Sequence, residues 1–495
     1  MRFVIGTARV VGGLLALGLG ACQNYLDVNQ NPNAPESATI DIRLPALETT
    51  FIHSTYYGQT ALWGSEWTQQ WAFNASRRSY AQVQNYELFD TDASSSWDYF
   101  YSRPGYASFT LARDASADPD IYYRGIAKLF NAWTFQIITD LWGPAPYSEA
   151  FKPEIREPKY ESQQTIYNGV LAGFDTAVTL LSSTNPLARK PTTNDLLFAG
   201  DMTKWVKLAH SLQARANLRI AYAPGEDKVA RANKVLAAIA LGLTSNADDA
   251  DFTYPGGVGA RNPNYTFQEL RTVFVASDFF LQLLKGRSDP RLPIMYTTIQ
   301  FDSIKGAGTT RVTFPAKPGT YVGHLPGSDV FQADSTVSLI GPYFSSETAP
   351  LNVASFADQK FTEAEARFIV SGAAAADPAY RAGIRANMSK LGVPAAAIDA
   401  YVNARPPLAA NALQEIITEK YIANFLKTEP WNDWRRTGLL AVPLVPQAVI
   451  PTLPQRIRAP NSELSSNSVQ VAASGIPTGE DGMAVKLWWA GGANK

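Results

Sequence analysis

The clearest pattern in the chain is an apolar stripe with helical spacing. Large apolar side chains recur every three or four residues between Asp118-Pro119 and Gly143-Pro144, which places them on one face of an α-helix. The stripe consists of Ile126, Leu129, Phe130, Trp133 and Ile137. Proline favours the first turn of a helix and glycine its end, so these dipeptides predict a helix between them.

The same spacing returns in five later segments. They are Ile166 to Leu181, Trp205 to Ala216, Val229 to Leu243, Phe361 to Phe368, and Leu413 to Phe425. Asp201 is a suitable N-cap for the second of them, and Pro224-Gly225 a suitable stop. Helices of this length in succession suit tetratricopeptide-type pairing, although the signature residues of that repeat are missing. The predicted fold class is mainly α.

Three long stretches rich in Gly, Pro, Ser and Thr separate these helices. They are residues 245–264, 304–350 and 443–480. Loops of this length usually serve function or contain short strands. Thr309 to Phe314 and Gly319 to Gly323 are rich in β-branched and aromatic residues, and they predict a small hairpin. No change in composition marks a domain border.

The amino terminus has the pattern of an export signal. Arg2 and Arg9 precede the apolar run Val10 to Leu19, and a small residue stands before Cys22, the only cysteine of the chain. The run is shorter than the roughly 20 apolar residues of a membrane span. We expect residues 1–21 to be a signal peptide, residues 22–495 the mature protein, and Cys22 a lipidated anchor. Ordinary secretion with a free thiol is the alternative.

Composition excludes several classes of function. Lys and Arg total 43 against 44 Asp and Glu, so a nucleic-acid partner is not expected. A single cysteine permits neither a disulfide framework nor a thiolate metal site. The three histidines, His53, His210 and His324, lie far apart, and we expect them to be structural or incidental.

Catalytic and cofactor motifs are also missing. The chain has no nucleophile elbow and no phosphate-binding loop. Residues 27–31 resemble half of a calcium loop, but Pro32 takes the place of its turning glycine, which favours a simple turn. Glu363 and Glu365 diverge by roughly 200° on a helix, so they cannot flank one glycosidic bond. We therefore expect no enzyme, no metal and no cofactor.

Six aromatic side chains are the candidate ligand contacts. They form two groups, Trp63, Trp67 and Trp71, and Trp97, Tyr99 and Tyr101. The three tryptophans stand four residues apart, which predicts a stripe along one helix. Core packing is one interpretation of both groups, and a stacking surface for sugar rings or peptide aromatics is the other.

The segment from Glu429 to Gly438 concentrates two tryptophans, two acids and two arginines in ten residues. Arginine forms bidentate pairs with carboxylates, and such pairs under aromatic side chains commonly order a buried junction. We expect buried ion pairing here rather than a ligand site.

A series of short motifs runs in order along the chain. They are residues 25–33 (YLDVNQNPN), 139–143 (TDLWG), 146–150 (PYSEA), 200–205 (GDMTKW), 289–292 (DPRL), 363–366 (EAEA), 419–421 (EKY), 431–438 (WNDWRRTG), 454–457 (PQRI) and 488–489 (WW). Together they resemble the SusD/RagB family of outer-membrane lipoproteins, from the cysteine to nearly the last residue.

The resemblance implies a fold and a function. It implies tetratricopeptide-like helix pairs that form a scaffold, with a loop-rich remainder and a few short strands. Such proteins are lipid-anchored in the outer membrane, facing outward, and act as a lid on a SusC-like TonB-dependent transporter. They bind a nutrient, an oligosaccharide or a peptide, and deliver it without catalysis.

Only Cys22 carries over from the family residue by residue. Acidic residues follow the cysteine in many relatives, whereas Gln23-Asn24-Tyr25 follows it here. Two alternatives stay open: a surface glycoside hydrolase, and a scaffold subunit of the transporter complex that binds no ligand.

Overall fold

The computed structural model describes residues 38–57, 59–74, 81–271, 274–299, 302–304, 311–313, 319–328, 330, 332 and 336–494. Most of these residues are helical, so the predicted mainly α class is confirmed. The predictions for residues 1–21, Cys22 and residues 27–31 lie outside the described residues.

The first half of the chain contains nine α-helices and the second half eleven, counted over the described residues. The first nine are α1 Ile40–Ile52, α2 Gln59–Trp67, α3 Ala81–Gln84, α4 Asp90–Phe100, α5 Tyr106–Asp114, α6 Ile121–Trp142, α7 Gln163–Leu181, α8 Met202–Ile220 and α9 Lys228–Ile239. The others are α10 Pro263–Arg271, α11 Asp278–Gly286, α12 Leu292–Met295, α13 Pro342–Ser345, α14 Phe356–Ser371, α15 Ala373–Lys390, α16 Ala395–Asn403, α17 Ala412–Ala423, α18 Glu429–Thr437, α19 Asn461–Ser466 and α20 Ser468–Ser474.

The described strands form short antiparallel pairs, and two of these pairs connect distant parts of the chain. The strands are β1 Trp71–Phe73, β2 Ala145–Pro146, β3 Tyr160–Glu161, β4 Ala250–Phe252, β5 Phe274–Ala276, β6 Asp302–Ile304, β7 Arg311–Thr313 and β8 Leu351–Ala354. β1 pairs with β5, β2 with β3, β4 with β8, and β6 with β7. Arg311–Thr313 belongs to the predicted hairpin, but it pairs with the preceding strand and not with residues 319–323.

The long helices pack in sequence order, α6 on α7, α7 on α8, α8 on α9, and α14 on α15. Asp201 caps α8 as predicted, since its carboxylate accepts from the backbone N–H groups of Thr203 and Lys204. Glycine lets α6 and α7 approach closely. A Cβ atom on Gly173 would lie 2.8 Å from the Cβ atom of Ala132.

Two large hydrophobic cores hold these helices. The first lies among α1 to α8 and takes in side chains from the carboxyl terminus, such as Trp431 and Trp488. The second lies among α11, α14 to α17 and the strands β1 and β5. Trp434 packs against both cores, so α18 joins the two halves. No helix in the described part of the chain is long and apolar enough to cross a membrane.

Candidate functional site

The first predicted aromatic group is divided between a helix and a strand. Trp63 and Trp67 lie on α2, with their ring centroids 6.2 Å apart, whereas Trp71 begins β1. The predicted single helical stripe is therefore wrong. The helix ends at Trp67, and Gln69 takes a left-handed backbone conformation with φ 56°, which turns the chain into the strand.

Trp63 and Trp67 are packed inside the first core. They are 4% and 1% exposed, and the Trp67 indole N–H donates to the Val83 carbonyl at 2.8 Å. Trp67 also meets the ring of Trp431 at a centroid distance of 4.9 Å. In the described structure these two rings support the fold, and their role as ligand contacts stays a prediction.

The second group lies at the end of α4. Trp97 and Tyr101 share one helix face and pack into the first core, with ring centroids 4.7 Å apart. The Tyr101 hydroxyl donates to the Pro146 carbonyl at 2.7 Å. Tyr99 points away from this pair, its ring half-buried beside His53 at a centroid distance of 5.8 Å.

Tyr99 lines an open cavity of about 280 Å³. The other described lining residues are His53, Ser54, Thr60, Ser95, Ser96 and Phe100. We call this space the hydroxyl cavity, because five of its seven described lining residues are serine, threonine or tyrosine. Its volume is near the lower end for small-ligand pockets, which suits one or two sugar rings rather than a long chain.

One irregular helical turn lines this cavity, and a second one follows the other helix that lines it. α1 continues into a π-helical turn, His53–Tyr57, and α4 continues into another, Tyr101–Gly105. Pro104 lies in the second turn and lacks a backbone N–H, so the regular α-helical bond cannot form there. Such turns are often found at functional sites, because the wider turn moves side chains out of their usual positions.

The hydroxyl groups of the cavity are oriented by backbone carbonyls. Ser54 donates to the Thr50 carbonyl at 2.8 Å, and Ser95 donates to the Thr91 carbonyl at 2.7 Å. A hydroxyl that donates its one hydrogen still has two acceptor lone pairs. The cavity therefore offers acceptors to a ligand that carries its own O–H donors.

The two titratable side chains in the cavity are uncharged near neutral pH. Burial lowers the pKa of His53, which favours the neutral imidazole. Burial raises the pKa of Tyr99, with the Arg103 charge opposing the shift, so the phenol keeps its proton. Arg103 lies 6.0 Å from the Tyr99 ring centroid, and this cation–π contact stabilises the position of the Tyr99 ring.

Trp71 lines a second recess, between β1, β8 and the end of α17. This inner cavity has a volume of about 70 Å³, and its lining includes Trp71, Tyr343, Phe344, Asn352 and Lys427. The Trp71 indole N–H donates to the Ser65 hydroxyl at 2.9 Å, and its ring meets that of Phe274 at 4.2 Å. Of the three predicted tryptophans, this one borders a cavity.

The segment Glu429 to Gly438 forms a buried ionic junction, as predicted. The Arg436 guanidinium makes a bidentate pair with Glu365 and also contacts Asp433 at 2.8 Å. Arg435 lies over the Trp431 ring at 3.5 Å. Glu363 turns to the other side of α14 and pairs with Lys360 and Arg367, so the predicted divergence of the two glutamates is confirmed.

The structure places His53 in the lining of the hydroxyl cavity, a position that no sequence signal indicated. The expectation that this histidine is structural or incidental stays a prediction. By contrast, His324 is buried, and its ring nitrogens lie at 2.9 Å and 3.0 Å from the carbonyls of Leu325 and Val330. Within the residues that the structure describes, no group of three or more His, Cys, Asp or Glu side chains could hold a metal ion.

Solved structures with this fold are numerous. One is a SusD/RagB family protein from Bacteroides thetaiotaomicron, 24% identical, with a TM-score of 0.74 over 92% of this chain and 100% of that one. A chitin-binding protein is 25% identical with a TM-score of 0.75, over 91% of this chain and 100% of that one. A chitin-binding SusD homolog from Flavobacterium johnsoniae is 22% identical, with a TM-score of 0.75 over 91% and 99%.

The helical scaffold is thus of the tetratricopeptide-like type that SusD-like structures have. Residues 33–458 match the family model of SusD-like proteins, described as starch-binding and associating with the outer membrane. The chain belongs to the SusD-like family. A search of curated proteins finds no match.

Proposed function

We propose that this protein is a glycan-binding lipoprotein of the outer membrane, and that a neutral oligosaccharide binds in the hydroxyl cavity. The observation that carries the proposal is the cavity itself, an uncharged recess with oriented hydroxyl acceptors beside the half-buried ring of Tyr99. Sugars present O–H donors and apolar C–H faces, so both kinds of group find a partner there.

Family membership supports a glycan rather than a peptide. The family model describes starch binding, and one protein of similar structure at 25% identity is described as chitin-binding. Starch and chitin are both neutral polysaccharides, which agrees with a cavity whose His53 and Tyr99 side chains are uncharged near neutral pH.

Capture without cleavage is part of the proposal. A glycosidase needs two carboxyl groups on either side of the scissile bond. The described lining of the hydroxyl cavity contains no carboxyl group. The bound glycan would pass intact to a SusC-like TonB-dependent transporter, with this protein as its lid.

Calorimetric titration with maltoheptaose and chitohexaose tests the binding, with a neutral hexapeptide as control. We expect at least one glycan to bind, the peptide to show no heat, and chromatography of the mixture to return the glycan uncut. Binding of the peptide alone would support a peptide receptor, and shorter sugar products would support the hydrolase. Absence of any binding while a transporter co-purifies would support the scaffold.

The proposed attachment to the outer membrane depends on residues 1–21 as a signal peptide and on Cys22 as the lipidated residue. Expression of the full chain with a Cys22→Ser variant as the matched control tests it. The natural chain should appear in the outer-membrane fraction, incorporate labelled palmitate and lose residues 1–21. The variant should incorporate no palmitate. Recovery of both proteins in the same soluble fraction would contradict a lipid anchor.

A further inference from the structure

A second, smaller cavity adjoins the hydroxyl cavity. Thr60 lines both spaces, and the π turn His53–Tyr57 contributes to both, with His53 and Ser54 in the hydroxyl cavity and Thr55 and Tyr56 in the smaller one. The smaller cavity has a volume of about 30 Å³. We call it the polar cavity, because its lining includes the polar side chains of Thr55, Tyr56, Thr60, Gln136, Arg215 and Thr428.

Four buried polar atoms of this lining have no hydrogen-bond partner among the residues that the structure describes. They are Thr55 Oγ1, Gln136 Oε1, Arg215 Nε and Thr428 Oγ1. Thr55 and Arg215 are each 8% exposed, and Gln136 is 2% exposed. An unpaired buried donor or acceptor is unfavourable, so such atoms in folded proteins usually bond to ordered water.

The Thr428 hydroxyl is free for the cavity because it does not cap a helix. Thr428 stands at the N-cap position of α18 but makes no side-chain cap bond, whereas Ser162 and Asp201 cap α7 and α8. Its methyl group packs against α2, where a Cβ atom on Gly64 would lie 3.1 Å from Thr428 Cγ2. The hydroxyl therefore needs a partner that the helix does not supply.

Charge and hydrogen-bonding capacity define what this partner is. Asp140 and Glu429 also line the cavity, and both pair with Arg219, at 3.3 Å and 2.5 Å, while Arg215 lies 3.7 Å from Glu429. Two acids thus face two arginines, which favours a neutral molecule over an ion. Among the four unpaired atoms the arginine nitrogen only donates, the amide oxygen only accepts, and the hydroxyls do both. Water satisfies all of them.

The size of the cavity also suits water. A buried water molecule needs roughly 10 to 15 Å³ and two to four polar partners. The volume of about 30 Å³ therefore has room for about two molecules. It is too small for a sugar ring.

We propose that the polar cavity binds about two ordered water molecules, which connect α6, α8 and Thr428 to the π turn and thereby position His53 and Ser54 in the hydroxyl cavity. Thr55 is the water's partner on the turn, so the turn is held from the side of the polar cavity. The positioning role rests on the proposed function, whereas the water site does not.

Crystal structures of the whole protein without a glycan test the water site. The natural protein should show water within hydrogen-bond distance of Gln136 Oε1 and of the Thr428 hydroxyl. Thr428→Val keeps the shape of the side chain without its hydroxyl and should lose the water bound there. Thr134→Val is the matched control, because this buried threonine on α6 donates to the Phe130 carbonyl at 2.7 Å and is not part of the described lining.

Calorimetric titration with the best-bound neutral glycan tests the positioning role. Loss of one hydrogen bond that holds the π turn predicts about fivefold weaker binding by Thr428→Val. Thr428→Ser restores the hydroxyl and should return the natural affinity, and Thr134→Val should keep it. Thermal unfolding shows whether each variant is folded, and Thr55→Val, which removes the partner on the turn, decides the question if Thr428→Val does not fold.

Each half of the inference has a result that would overturn it. A natural protein with no water in the polar cavity rejects the water site. Natural affinity in a folded Thr428→Val that has lost its water rejects the positioning role. If the natural protein binds no glycan, the proposed function and the positioning role fail together, and the crystal structures still decide whether the cavity binds water.

Discussion

Replacing Tyr99 by alanine separates a ligand contact from a core residue. The ring is half-buried, and its described neighbours are His53 at 5.8 Å and Arg103 at 6.0 Å. Exposed cation–π contacts are worth about 0.5 to 1 kcal/mol, so we expect the free energy of unfolding to fall by about 1 kcal/mol. Stacking contributes up to about 1.5 kcal/mol, and its loss would weaken glycan binding about tenfold.

Trp97→Ala is the matched control two residues away on the same helix. Trp97 is 3% exposed and meets the ring of Trp142 at a centroid distance of 5.2 Å. Truncating a buried tryptophan costs about 3 to 5 kcal/mol. Urea unfolding followed by fluorescence measures both variants, and calorimetry measures the affinity of Tyr99→Ala for the best-bound neutral glycan.

The outcome has a clear criterion. Tyr99→Ala should lose affinity with little loss of stability, and Tyr99→Phe, which keeps the ring, should bind within about threefold of the natural protein. Unchanged affinity in Tyr99→Ala would refute the stacking argument. Destabilisation as large as that of Trp97→Ala would show that the ring belongs to the core.

Three further predictions concern the scaffold and are read from urea unfolding. Arg436→Met leaves the buried Glu365 carboxylate without its partner and should cost about 3 to 5 kcal/mol; a cost below 1 kcal/mol would contradict the ionic junction. Gly173→Ala should destabilise by about 1 to 3 kcal/mol because α6 is too close, whereas Gly286→Ala, with open space around it, should stabilise by about 0.4 to 1 kcal/mol. Burial raises the folded-state pKa of Glu48 above 4.5, so the stability that its protonated carboxyl group contributes is complete below that pH and is lost as the pH rises. Glu48→Gln should therefore have a larger free energy of unfolding than the natural protein at pH 8. An equal gain at pH 4 would argue against this linkage.

The local spacing of apolar and capping residues was sufficient to predict the long helices. The stripes that begin at Ile126 and Ile166 lie on α6 and α7, and Asp201 caps α8. The sequence predicts these features because each of them depends only on residues within a few helical turns of one another. The alanine-rich helix α15 and the short helices α19 and α20 in the predicted third loop were missed. Alanine has the highest helix propensity, so composition could have indicated α15.

The candidate site depended on contacts that sequence does not show. Trp71 leaves the predicted helix because β1 pairs with β5, about two hundred residues further along the chain. The hydroxyl cavity exists because α4 lies beside the π turn that contains His53, and neither segment identifies the other. Of the six predicted aromatics, Tyr99 could be proposed as a contact only after the packing of Trp97 and Tyr101 was known.

A crystal structure of the full mature chain with its best-bound neutral oligosaccharide tests the central claim most directly. We predict an intact sugar in the hydroxyl cavity, one ring on the face of Tyr99 and its hydroxyls within hydrogen-bond distance of Ser54 or Ser95. A sugar bound only at another surface, or one cleaved within the crystal, would contradict the account.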